Sequence, residues 1–241
     1  VRRAQRHHFP FVLGETYAFE YLPDLETFVT TSPNLREAAV VLMPRKGDDK
    51  DKLVSLRRRI LGSVFGFHIH PTARIGISLV LPRTLTMAAS ARIGHLTVCK
   101  GLERLQLGES ALIGNLNWIT AFPKGDSLGF FAREIEREPE LVLGPHAAIT
   151  HRHLIDCTDK ILIGDFSTFA GFRSQLLTHS IDIALSSQSS APVTVGKYCF
   201  VGTGSILLKG SSLPDKSVLG AGSVLTKSQT EGGSLYAGNP A

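Results

Sequence analysis

The chain has 241 residues, 43% of them hydrophobic and 20% charged, enough apolar content for a sizeable core and too much for wholesale disorder. Lys and Arg number 26 against 21 Asp and Glu, for a net charge of +5. That mild basic excess suits anionic ligands such as nucleotides or sugar phosphates, and without a dense basic tract interleaved with aromatics no nucleic acid is expected as partner.

No signal-peptide core follows Val1-Arg2-Arg3, and no apolar run approaches the roughly 18 residues that span a bilayer, so a cytoplasmic protein is expected. Residues 1–50 mix aromatic and charged side chains, Phe9-Pro10-Phe11, Tyr17, Tyr21 and Phe28 among them, and form a small pre-domain. From 51 to 67, Leu53, Leu56, Ile60 and Leu61 share one helical face beside Arg57-Arg58-Arg59, which predicts a basic amphipathic helix. Together, 1–67 are read as a small mixed N-terminal extension. Its helix caps or packs against the C-terminal remainder of the chain, and weak contact with the inner face of a membrane is its second reading.

From His68 the pattern changes. Ile75-Gly76 recurs eighteen residues on as Ile93-Gly94, and Leu143, Ile149, Ile155 and Ile161 keep a step of six. The clearest run is Val195, Val201, Leu207, Leu213, Leu219 and Leu225, with small residues four places after the first five: Cys199, Ser205, Ser211, Ser217 and Ser223. A six-residue period fits neither a helix nor a simple alternating strand. It predicts an all-β solenoid over 68–241, one bulky aliphatic per hexad filling the interior and three hexads completing a coil. Ile113-Gly114 to Leu143-Gly144 is thirty residues, read as one coil plus a solvated excursion near 121–142. Ile163-Gly164 to Val195-Gly196 is thirty-two, which places a second, Ser-rich insertion near 181–194. Insertions in repeat proteins map to loops, often on a binding face. Cys99, Cys157 and Cys199 are odd in number and show neither disulfide nor zinc spacing.

Three segments resemble a known family. They are Ile163-Gly164-Asp165 with Leu177-Thr178-His179, then Val195-Gly196-Lys197-Tyr198-Cys199-Phe200-Val201-Gly202-Thr203, and finally Leu219-Gly220-Ala221-Gly222-Ser223-Val224-Leu225-Thr226-Lys227 closed by Ala237-Gly238-Asn239-Pro240. Their order resembles the hexapeptide-repeat acyltransferases of the left-handed β-helix type, in the galactoside, maltose and polysaccharide O-acetyltransferase branch. The resemblance implies a left-handed parallel β-helix, a homotrimer and an acyl coenzyme A co-substrate, commonly acetyl-CoA, with no metal. It also implies a sugar or polysaccharide precursor as acceptor of the acyl group.

The same resemblance carries site residues. His179 is implied as the general base, a role that suits an imidazole whose ordinary pKa is about 6.5. His153 stands near the place of an oxyanion or acceptor donor, and Asp156 could orient an imidazole. Phe200, Gly202, Thr203, Gly220 and Ala221 are implied to line the coenzyme A wall, with Thr226 and Lys227 toward its nucleotide. Three rivals stay open. A metal enzyme resembling the γ-class carbonic anhydrases would use histidines such as His146, His151 and His153, though Ser110 stands where a further His is wanted. A non-catalytic scaffold and a nucleotide-sugar N-acyltransferase are the others.

Overall fold

The computed structural model describes residues 50–125, 130–131, 134–183 and 186–241, with side chains from residue 58 onward. Residues 1–49 of the pre-domain and the side chains of Leu53, Leu56 and Arg57 lie outside these. The described residues belong to one compact unit, Arg36–Ala241.

Short strands recur in threes. They stack into parallel sheets of seven, eight and seven strands, each strand pairing with the equivalent one in the next coil. The first sheet begins at His68–Ile69, the second at Arg74–Ile75 and the third at Leu79–Leu81. This is the all-β solenoid that the hexads predict, a parallel β-helix. A column of apolar side chains fills it from each side, among them Leu107, Leu143, Ile163 and Val195 from the first sheet, Ile93, Ile113, Ile149 and Val201 from the second, Cys99, Ile119, Ile155 and Leu207 from the third. A strand two to four residues long cannot bury its faces alone, so coil-on-coil stacking supplies nearly all of its stability.

The coils are not all eighteen residues. Met87, Ile93 and Cys99 keep the six-residue step, but Leu107, which pairs with Met87, comes eight residues after Cys99. The middle coils therefore take twenty, and the two extra residues lie at the corner between the third and first sheets. This corrects the sequence alignment of the first interruption. Leu107 pairs with Leu143, and Ile113 pairs with Ile149 rather than lying one coil from Leu143. Each pair is thirty-six residues apart, sixteen more than a twenty-residue coil. The excess runs between the strands Trp118–Thr120 and Glu140–Leu143. The second interruption keeps its predicted register, with Ile163 beside Val195. Its extra residues form an antiparallel hairpin, His179–Asp182 with Ser187–Ser190.

A helix, Lys50–Phe65, precedes the first coil. It ends where Gly66 takes φ 67°, with the Gly66 N–H bonded to the Gly62 carbonyl and the Phe67 N–H to the Leu61 carbonyl, the pattern of a glycine-capped helix end. Leu61 and Phe67 join the core under the first coil, while Arg59 stays exposed. Among the described residues no helix is long and apolar enough to cross a membrane.

A second column runs inside the corner between the second and third sheets: Ser78, Thr97, Asn117, His153, Ser174, Ser205 and Ser223, all buried. These side chains bond the backbone of neighbouring coils. The Ser78 hydroxyl accepts from Thr97 N–H, Asn117 Oδ1 from His153 N–H, and the Ser205 hydroxyl donates to the Gly220 carbonyl. The buried corner thus keeps its polar groups paired, as a dry interior requires.

Coil stacking also sets where a side chain fits. A methyl added at Gly164 would lie 2.6 Å from the Gly196 carbonyl carbon, whereas one at Gly204, at φ 69°, would meet nothing within 4 Å. Gly164→Ala is expected to cost about 2 kcal/mol by forcing two coils apart, and Gly204→Ala about 1 kcal/mol through backbone strain alone. Urea unfolding of both variants measures the difference, and equal midpoints would contradict it.

Candidate active site

Both interruptions leave from the same corner, between the third and first sheets, and the residues they bring there form the candidate site. Asp156 ends the strand Leu154–Asp156, and one coil further on the strand Gln175–Leu177 runs through Thr178 into His179. His179 Nδ1 lies 2.5 Å from Asp156 Oδ2. The same carboxylate oxygen accepts from the backbone N–H of Thr178 at 3.0 Å and of His179 at 3.2 Å. The other oxygen takes the Thr158 hydroxyl at 2.6 Å and its N–H at 3.2 Å. Burial alone would raise the Asp156 carboxyl, but the hydrogen bonds from His179 and Thr158 outweigh it and hold it below the usual carboxylate range. An ionised Asp156 keeps the proton of His179 on Nδ1, which leaves Nε2 as the basic lone pair. Nε2 has no partner among the described residues.

Aromatic rings wall the imidazole. Phe122 and Phe131 meet it edge-on, with centroids 5.5 and 5.9 Å away. Both come from the first interruption, which the sequence presents as a solvated excursion. Ile135 and Glu136 are indeed exposed, but Phe131 and Arg137 are buried. The reason is a clasp: the Arg137 guanidinium donates to the carbonyls of Phe122 at 2.5 Å, Pro123 at 2.6 Å and Thr158 at 3.1 Å, and its carbon lies 4.6 Å from the Phe131 ring centre. Sequence reasoning missed all three residues. The one signal for them was Phe122 and Phe130-Phe131 in an otherwise charged stretch. A second tie, from the Ser190 hydroxyl to Asp159 at 3.0 Å, anchors the far strand of the hairpin.

His153 does not join this site. It occupies the polar column of the opposite corner, 2% exposed, with Ser174 N–H on Nδ1 at 3.2 Å and the Thr150 hydroxyl beside Nε2 at 3.0 Å. The direct role expected of it does not fit an interior ring with both nitrogens engaged. The histidines of the metal reading are likewise divided. His146 stacks on Phe166 at the corner between the first and second sheets, while His151 accepts the Asn115 N–H at the next corner. All three cysteines are buried. Burial pushes Cys99 up to about 12 and raises Cys157 and Cys199 as well, so none offers a thiolate nucleophile near neutral pH.

The residues implied for coenzyme A fall into two groups. Phe200 is exposed on the second sheet, and Gly202, Thr203, Gly220 and Ala221 follow at its corner with the third. Thr203 clips the chain there, its Oγ1 accepting from Phe172 N–H at 3.1 Å. Thr203 and Ala221 sit one above the other, since Thr203 O receives the Gly222 N–H at 2.9 Å. Thr226 and Lys227 follow the third-sheet strand Val224–Leu225, on the side where His179 lies. Within one chain, the width of the third sheet separates Thr203 and Ala221 from His179.

No family model and no curated protein matches the chain. Solved structures similar to it include a hexapeptide-repeat-containing acetyltransferase from Vibrio cholerae in complex with acetyl coenzyme A, at 18% identity and a TM-score of 0.44, covering 56% of this chain and 66% of that one. A variant of AntD, an N-acyltransferase from Bacillus cereus in complex with dTDP-4-amino-4,6-dideoxyglucose and coenzyme A, is similar at 16% identity and a TM-score of 0.47, over 69% of this chain and 80% of its own. A maltose O-acetyltransferase from Clostridium difficile is similar at 15% identity and a TM-score of 0.33, over 81% and 75%.

The two corners respond to acid in different windows. Burial lowers His153 to about 4, whereas in the unfolded chain it protonates near about 6.5. Between those values the unfolded chain binds more protons, so stability is lost as pH falls from about 6.5 to about 4. Asp156, held low in the fold, contributes stability above about 3.9 and loses it only as pH drops below that. His153→Asn should flatten the upper part of the profile and leave the lower part, as read from urea unfolding between pH 7 and pH 3. An unchanged upper slope would contradict the assignment.

Proposed function

We propose that the protein is an acyl-CoA-dependent O-acyltransferase that acetylates a hydroxyl of a sugar or polysaccharide precursor, with His179 as general base. The observation that carries this is the His179–Asp156 pair: an imidazole fixed by an anion at Nδ1, with Nε2 open at the mouth of an aromatic-walled corner. Such an arrangement takes a proton from an acceptor and returns it. Nε2 removes the hydroxyl proton as the acceptor oxygen bonds to the thioester carbonyl carbon. Collapse of the tetrahedral intermediate breaks the carbon–sulfur bond, and the imidazolium proton leaves with coenzyme A as its thiol.

The donor is proposed from the segments Val195 to Thr203 and Leu219 to Lys227. Their two corner residues, Thr203 and Ala221, carry slim side chains in consecutive coils, which suits a pantetheine arm lying along the prism edge. The homotrimer belongs to the same proposal. Because the third sheet separates that edge from His179 in one chain, a neighbouring copy supplies the missing half of the crevice.

His179→Ala is expected to lower acetyl-CoA-dependent turnover about 100-fold or more and to leave coenzyme A affinity unchanged. Asp156→Asn should lower turnover about tenfold or more by freeing the ring. Ala221→Trp should instead weaken coenzyme A binding. Thiol release over a sugar panel and calorimetry with coenzyme A separate these outcomes. Full turnover in His179→Ala removes the base, and absence of coenzyme A binding removes the donor.

A further inference from the structure

The outer face of the third sheet carries a shallow groove of about 410 Å³ at its edge with the second sheet. That volume lies in the range of small-ligand sites. Trp118, Leu154 and Gln175 stand on three consecutive rungs and form its floor. Arg152 and Arg173 flank them at the corner, on adjacent coils, with the Arg173 N–H bonded to the Arg152 carbonyl at 3.0 Å. Their backbones are thus one strand spacing apart, roughly 4.8 Å.

Two guanidiniums on adjacent rungs repel each other. Several cations elsewhere on this solenoid are paired with anions of a neighbouring coil: Arg104 with Glu140, Arg83 with Glu103, Lys160 with Glu138 and Lys197 with Asp165. Among the described residues, Arg152 and Arg173 have no carboxylate. A diphosphate laid across them would offset the repulsion with charge-assisted hydrogen bonds to each. One coil away, Trp118 is 49% exposed, with Leu116 exposed beside it and the Lys100 ammonium 5.9 Å from its ring. A large open indole next to a paired cationic site matches a ligand that joins a flat ring to a diphosphate. The strands then lead to the corner that holds the reacting groups: Leu154 at the groove and Asp156 at the candidate site belong to one three-residue strand.

We propose that this groove binds a nucleoside diphosphate, its base against Trp118 and its phosphates across Arg152 and Arg173, as the handle of a nucleotide-linked acceptor. The acceptor role rests on the acyltransferase reading above, whereas the binding does not. The same chemical group occurs in coenzyme A, so the test must separate the two sources.

Trp118 is the chain's one tryptophan, so its fluorescence reports on the groove alone. Titration of the full chain with UDP or dTDP should give saturable quenching, about tenfold or more stronger than inorganic pyrophosphate, which cannot reach the indole. Arg152→Ala and Arg173→Ala should each weaken binding about tenfold, and 0.5 M salt should weaken it further. His179→Ala should bind the nucleotides as the unaltered chain does, so failure of the catalytic reading would leave this result standing. Absence of saturable binding by fluorescence and by calorimetry would overturn the proposal, as would unchanged affinity in both arginine variants. Coenzyme A that quenches Trp118 and competes with UDP would overturn the acceptor assignment, because the groove would then belong to the donor.

Discussion

Each coil must close on itself above the one before. Parallel pairing holds only if every strand returns to the same register, and the interior fills only if each aliphatic lands on the one below. Two corners obey this with a fixed number of residues through most of the solenoid. The corner between the third and first sheets does not: the middle coils carry two extra residues there, and both long interruptions leave and return there. A chain that lengthens mainly at one place collects its irregular chemistry at that place. The candidate site lies there for this reason, and the rigid ladder on either side fixes where its residues start from.

At that corner the Asp156 carboxylate ties two coils together. It receives donors from Thr158 on its own coil and from Thr178 and His179 on the next, so the imidazole is set by the same stacking that builds the fold. A buried carboxylate is costly unless its lone pairs are met, and here they are. Once it is satisfied as an anion, the tautomer of His179 follows. The Arg137 clasp extends this inward: a cation bonded to three carbonyls presses the first interruption against the corner, and Phe122 and Phe131 become a dry wall for the ring.

Much of this was legible in the hexads, and what was not has a physical cause. One aliphatic per six residues is enough to define the columns, because each must fill the same interior slot. The same arithmetic places His153: it lies four residues after Ile149, as Ser205 lies four after Val201, so the pattern assigns it to the buried polar column despite its resemblance to a reacting position. A rule of eighteen cannot tell an extra corner residue from an inserted loop, so the register across the first interruption is set only by the pairing of Ile113 with Ile149. Phe122, Phe131 and Arg137 were invisible for a different reason. They sit in a segment without a period, and their burial depends on carbonyls distant in sequence. Arg152 and Arg173 leave no mark in the sequence pattern, because corner residues pointing outward have no packing rule to break.

The arrangement of edges bears on how such a solenoid can work at all. Side chains on a prism lie along its corners or its faces, and a face only three residues wide still keeps two corners apart. Thr203 and Ala221 occupy one edge of the third sheet, His179 and Asp156 the other, and Trp118, Leu154 and Gln175 the ground nearest the first edge. A reaction between two substrates needs both within bonding distance, which neither corner can provide from its own convex surface. A crevice that encloses both must come from the interruptions or from a second copy. The hairpin and the Arg137-clasped loop supply the first kind beside His179. The slim edge at Thr203 and Ala221 has no such loop among the described residues, so on the acyltransferase reading it is the edge that has to meet a neighbour.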